Sequence, residues 1–269
     1  MDRSPTALNL MRPFEASKLK LDRAAKHLRD LEEAVAAYLA ERPCVIVVEP
    51  LSYEKWGTRA WKARIRKAVP LDLSAIVGDV VHNLRTALDL LACDLVRLKG
   101  KSTRKAYFPF CDTEADLSAT IKARHMNHAG RDIVQAIQAL QPYKGGNITL
   151  RAVHDLDIAD KHHAIIPVIG AVTVPVGDIL KFPPTHQLQN LSTLVVQDGQ
   201  MIVGIPDIPG APQLGTEIRA NVFLAFTDLP GLGNREIFET LHALSMAAND
   251  AFDALASLRP GAVFPSPPS

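Results

Sequence analysis

The chain has 269 residues, 47% of them apolar and 22% charged, with a formal net charge of +1. That balance is ordinary for a globular protein and excludes a disordered polyelectrolyte. It also excludes a global field that would drive the chain onto nucleic acid or anionic lipid, so any such contact has to come from a local patch.

The three cysteines, Cys44, Cys93 and Cys111, are widely spaced and odd in number, which is neither a disulfide framework nor a zinc pattern. The opening residues have no hydrophobic signal core, and the most apolar run, 164–176, is short and broken by Pro167, Gly170 and Pro175. The expectation is a cytoplasmic protein with no membrane span, no cofactor and no metal.

Residues before Pro13 read as loose. From Phe14 to Leu39 the positions Leu21, Ala24, Leu28, Leu31, Val35 and Leu39 recur at helical spacing, and Pro43 ends the run. Cys44–Val48 and Thr58–Val69 then suggest a hairpin with a longish loop. On its second strand Trp61, Ala63 and Ile65 point one way and Lys62, Arg64 and Arg66 the other. That basic stripe, with Trp56 and Trp61 nearby, is the candidate nucleic-acid contact; as a solvated strand face it would instead protect an edge.

A long central helix is expected from about Asp72 to Leu98. Leu73, Val77, Val80, Val81, Leu84, Leu88, Leu91 and Leu95 form a core stripe. The other side should be solvated, yet no Lys or Glu occurs between Leu71 and Leu98. His82, Arg85 and Asp89 cluster there, framed by Gly78, Ala92, Cys93 and Val96. A polar triplet so framed is expected to be covered by another element.

After a basic loop, 101–105, comes an apolar plug, Tyr107 to Phe110, then short helices over 114–126 and 132–140 and a turn at 141–146. Gly145-Gly146 lacks a Lys-Ser/Thr follower, so it is a turn and not a phosphate loop. The next helix, 150–161, carries His154, Asp157, Asp160 and Lys161 among its apolar positions. It is therefore the expected partner of the central helix, with Arg85 reaching Asp157 or Asp160 and Asp89 reaching Lys161 or His162. From Ala164 to Leu229 β-type runs appear at 165–174, 191–197, 201–205 and 217–226. A final helix spans 234–258, and the segment from Pro260 reads as a disordered tail.

The fold expected is α+β: a helical bundle over 14–163 with a hairpin inserted at 44–69, then a β-rich segment closed by a final helix over 164–259.

The run His82-Asn83-Leu84-Arg85-x-Ala87-Leu88-Asp89, with Leu140-Gln141-Pro142-Tyr143 and Asp160-Lys161-His162, resembles a family of uncharacterised bacterial proteins with a GDxxHNLRxALD helix and a later DKHR-like motif. The likeness covers 14–167, and here His163 stands where that motif usually has Arg. The central helix is also similar, at the level of fold, to HEPN domains, helical bundles that often act as metal-independent ribonucleases. Their signature places Arg four to six residues before His, whereas His82 here precedes Arg85.

These residues point to two functions. In the first, a HEPN-like dimer acts on RNA or a nucleotide without a metal, in a defence or toxin context. His82 or His162 takes a proton from a ribose 2′-hydroxyl, Arg85 holds the phosphate, and Asp89 orients one of them. Asp157, Asp160 and Lys161 complete the candidate catalytic set. In the second, the same motifs form a buried polar network in a non-catalytic scaffold or binding module.

Overall fold

In a computed structural model the described residues are 12–51, 59–162, 165, 167–174, 191–194, 197–205, 213–218, 221–226 and 235–258. Of the segment before Pro13 that reads as loose only Arg12 is described, and Trp56, His163 and the segment from Pro260 lie outside the described residues. Among the described residues the architecture is mixed, with six α-helices and small antiparallel sheets, the last element being a helix. Two compact units divide it, one comprising 1–29, 76–164 and 241–269, the other 30–75 and 165–240.

The first unit contains most of the helices. Helix α1 (Glu15–Ala40) begins here, and α2 (Leu71–Leu98) runs through it from Ile76. Phe14, at φ 71°, turns the chain into α1, and its amide donates to the buried Asp94 carboxylate of α2 at 2.8 Å. The Ser17 hydroxyl donates to Ala87 O at 2.7 Å, which small residues on both helices allow. Asn83 of the HNLR run is also structural: its amide donates to Asp79 O and its oxygen accepts from Lys20.

The expected core stripe is buried along its length in α2, and Ala92 and Val96 beside it are sealed as well. Helix α3 (Glu114–Ala123) starts on Thr113, whose hydroxyl accepts from the Asp116 amide. It ends before a short 3-10 turn, so the longer helix expected to Met126 stops early. Helix α4 (Arg131–Leu140) ends at Gln141 in the left-handed region, φ 50°. Gln141 O then accepts from Tyr143 and Asn147, and Asn147 Oδ1 accepts from Leu150 to cap α5 (Ile148–His162). Helix α6 (Ile237–Ala256) completes the unit from Leu241, where Phe252 meets Phe14 edge-on at 6.2 Å.

Gly78 of α2 explains why the two ends of the motif set occur together. A Cβ there would lie 2.6 Å from both carboxylate oxygens of Asp160 on α5. Gly78→Ala should gain about 1 kcal/mol of helix propensity but lose more to the displaced carboxylate. The substitution is expected to destabilise by about 1 kcal/mol alone, since overpacking costs about 1–3 kcal/mol. In an Asp160→Ala background it should stabilise instead, and a denaturation double-mutant cycle that keeps the same sign in both backgrounds would refute the contact.

The second unit is built on the expected hairpin. Strands β1 (Cys44–Pro50) and β2 (Arg59–Ile65) pair antiparallel from Cys44↔Ile65 to Pro50↔Arg59. Trp61 and Ala63 are buried and Lys62 and Arg64 face outward, following the two-residue period. Both hairpin edges are paired with strands from the later segment. β5 (Met201–Ile205) lies on β2 and β6 (Glu217–Ile218) on β1, in the order β5-β2-β1-β6. A separate sheet has the order β4-β3-β7, from β3 (Pro167–Val174), β4 (Leu191–Leu194) and β7 (Asn221–Phe226). The single run expected over 217–226 is thus two strands in two sheets. Within this unit the Tyr38 hydroxyl donates to Lys67 O, and burial pushes its pKa up to about 12. Among the described residues no helix is long and apolar enough to cross a membrane.

Candidate functional site

Helices α2 and α5 do face each other, but their polar side chains pair differently from the sequence expectation. Two clusters result.

The first lies at the surface. His82 is 53% exposed, while Asp157 on α5 is 4% exposed, and His82 Nδ1 lies 3.0 Å from Asp157 Oδ1. A carboxylate only accepts, so Nδ1 carries a proton, and in the neutral ring Nε2 is the basic nitrogen. Nε2 is 3.4 Å from the Thr86 hydroxyl one turn along the helix. Asp157 Oδ2 accepts from Lys161 Nζ at 2.5 Å, and that ammonium is itself 55% exposed. A buried carboxylate therefore orients an imidazole outward with a cation beside it. Asp157 takes His82 and Lys161, not Arg85.

The second cluster is interior. Arg85 is only 11% exposed and contacts the Asp89 carboxylate, although its Nη1 finds no aligned hydrogen bond. Its Nε donates to His154 Nδ1 at 3.3 Å, and its guanidinium sits 4.9 Å from the centre of the Phe110 ring. His154 stacks on the same Phe110 ring, at 5.0 Å and 5°. Since a guanidinium only donates, His154 Nδ1 must be unprotonated. Burial pushes the His154 pKa down from 6.5 to about 4, and the Arg85 and Arg151 charges push it the same way.

Asp89 also accepts the Phe108 amide at 2.9 Å. Lys161 and His162, its expected partners, stand elsewhere: Lys161 on Asp157, and His162 exposed at the end of α5. Arg85 thus links the 108–110 plug to α5 through Phe110 and His154. A helical wheel could place it on the right side of α2 but not choose among acceptors one turn apart on α5.

Sequence reasoning passed over Arg151. It is buried, donates through Nη1 to Cys111 O, and reaches Asp112 at 3.1 Å and Asp155 at 2.8 Å. The available signal was an arginine inside the apolar run Leu150–Val153 with an aspartate four residues on. Asp112 is held below the usual carboxylate range, first by its hydrogen bond from Lys144 and then by Arg151.

The strand stripe is compensated. Arg64 donates twice to Glu49, Lys62 lies 3.6 Å from the same carboxylate, and Arg66 contacts Glu217. The Arg64 hydrogen bonds hold Glu49 below its ordinary pKa. Among the described residues no group of three or more His, Cys, Asp or Glu could hold a metal ion. Burial raises the pKa of all three cysteine thiols, which are poor nucleophiles in consequence.

A cleft of about 280 Å³ lies between Leu95, Leu98, Ala129, Ile133 and Leu258 and shares no lining residue with the His82 cluster. No family model, no curated protein and no solved structure matches the chain.

Proposed function

We propose that His82 is the acid–base group of a metal-independent ribonuclease site, with Lys161 beside it. The observation that supports this is the pairing of an exposed imidazole with a carboxylate buried behind it. His82 Nε2 takes the proton of a ribose 2′-hydroxyl, the 2′-oxygen attacks phosphorus, and the bond to the 5′-oxygen breaks. The proton passes to that leaving oxygen, giving a 2′,3′-cyclic phosphate and a free 5′-hydroxyl. Lys161 offsets the charge gained at the phosphate. His162, the other candidate base, is exposed one residue further along.

Purified protein is expected to cut single-stranded RNA in the presence of a chelator. His82→Ala should lower the rate by about 10²–10⁴-fold, the usual contribution of a positioned acid–base group. A strand with the 2′-hydroxyl methylated should stay intact. Cleavage that depends on a divalent metal, or that survives His82→Ala unchanged, would sink the proposal.

The second reading, a non-catalytic module, is favoured by the interior cluster. Arg85, Asp89 and His154 together tie the 108–110 segment to the two helices, through the Arg85–Asp89 ion pair, the Arg85–His154 hydrogen bond and the Phe108 amide.

A further inference from the structure

The interior cluster holds in place a segment whose outer surface is unusually charged. Between Asp94 and Asp112 there is no carboxylate, but there are Arg97, Lys99, Lys101, Arg104 and Lys105. Between Asp116 and Asp132 there is again none, but there are Lys122, Arg124 and Arg131. Two stretches thus hold eight of the chain's 30 Lys and Arg and none of its 29 Asp and Glu.

Two contacts bring the stretches together. The Arg124 guanidinium lies over the Tyr107 ring at 5.5 Å, and the Lys99 side chain passes within 3.3 Å of where a Gly130 Cβ would be. The loop between Lys99 and Phe108 is fixed from beneath. Ala106 N donates to Thr103 O, Cys93 Sγ to Ala106 O, and Phe108 N to Asp89.

Of these cations only Arg97 has an ion pair among the described residues, with Asp94. Lys101, Arg104, Lys105, Lys122 and Arg124 are all exposed, and Tyr107 among them is 45% exposed. Asp132 is the acidic neighbour on this side, next to Gly130. The strand stripe, by contrast, is neutralised by Glu49 and Glu217.

We infer that this face, Lys101, Arg104, Lys105, Lys122 and Arg124 around Tyr107, binds single-stranded nucleic acid. Uncompensated cations on a rigid loop and an adjacent helix end track a phosphate backbone, and an exposed aromatic among them stacks a base. An anionic membrane would be met by an amphipathic helix with an open apolar face, whereas α3 and α4 beside these cations keep Leu117, Ile121, Ile133 and Ile137 buried. The face shares with the ribonuclease proposal only the class of partner.

The test uses the full chain and a fluorescein-labelled 2′-O-methyl oligouridine 20-mer, which His82 chemistry cannot cut. Fluorescence anisotropy should show binding that weakens with salt, with a log–log slope of about −2 to −3.5 for three to five phosphate contacts at about 0.7 each. The triple variant Lys101→Gln, Arg104→Gln, Lys105→Gln should bind at least tenfold more weakly, and Tyr107→Ala about fivefold or more, given the usual worth of one base stack. Lys18→Gln, which removes a solvated pair with Asp22 on α1, should bind like the parent. The substituted Lys and Arg side chains are exposed, so those variants should keep the parent's melting midpoint, and the Tyr107→Ala result is read only where its fold is retained by circular dichroism.

No binding at 50 mM salt overturns the inference, as does equal binding by the triple variant. Binding to phosphatidylserine vesicles without binding to the strand overturns it in favour of a lipid surface. Strand binding without cleavage of ordinary RNA leaves this face standing and removes only the His82 proposal.

Discussion

Arg85→Ala should destabilise the protein by about 3–5 kcal/mol, the usual cost of breaking a buried charge pair from one side. Three losses coincide. Asp89 keeps only the Phe108 amide, the acceptor nitrogen of His154 loses its donor, and the Phe110 ring loses the guanidinium that covers it. At about 2–4 °C per kcal/mol for a chain of this size, the melting midpoint should fall by on the order of 10 °C. Arg85→Met, which refills the space, should cost less than the alanine variant. Arg85→Lys should recover little, since an ammonium cannot lie flat on Phe110 while donating to His154 from an Nε–H. His82→Ala is the control: its ring is half exposed and Asp157 keeps Lys161, so it should cost less than about 1 kcal/mol. If both alanine variants melt alike, the division into a surface pair and an interior cluster is wrong.

That division was only half legible in the sequence. The apolar stripe of α2 and the absence of Lys and Glu opposite it pointed to another element over the polar triplet, and the apolar positions of α5 said which; the cover holds for Arg85, at 11% exposed, but not for His82, at 53%. Partner choice was not legible, because a wheel gives direction around one axis and says nothing about height along the facing helix. His82 reaches the buried carboxylate from outside, and the longer Arg85 turns under the loop. The plug at Tyr107–Phe110 was visible as apolar, but its role as a stacking surface for Arg85 and His154 comes from chain 25 to 44 residues away from them.

The same limit governs the sheet. The hairpin could be read from the β-branched run after Pro43 and the alternation after Thr58, since its pairing is local. The strands that close its edges come from 201–218, and non-local pairing leaves no periodic trace in either partner. The basic stripe illustrates the consequence. Read alone, Lys62, Arg64 and Arg66 form a charged face; the carboxylates that pair with them, Glu49 and Glu217, belong to the neighbouring strand and to β6. Uncompensated charge was present elsewhere, in the loop after α2, and the absence of any carboxylate from Asp94 to Asp112 was the signal for it.

His154 supplies the other large expected effect, a loss of stability on acidification. Its folded pKa of about 4 lies below the ordinary 6.5, because burial and the Arg85 and Arg151 charges oppose protonation. Above pH 6.5 both the folded and the unfolded chain hold it neutral, so nothing is lost. Between 6.5 and 4 the unfolded chain takes up a proton that the folded one refuses, and folding weakens until the folded group titrates too. A displacement of that size corresponds to about 3 kcal/mol at 1.36 kcal/mol per pH unit; the ring is partly exposed, so about 2 kcal/mol is expected. Carboxylates titrate in the same interval, so the comparison has to be with His154→Gln, which keeps an acceptor for Arg85 and cannot protonate. The parent should be the more stable of the two at pH 7, and its advantage should shrink by about 2 kcal/mol by pH 4. An advantage that stays constant across that range would show that Arg85 does not face a neutral imidazole. The amide of Phe108 offers a local check. Protonating His154 sets two cations against each other beside Phe110, so the protection factor of that amide should fall in the parent over the same interval and stay level in the glutamine variant.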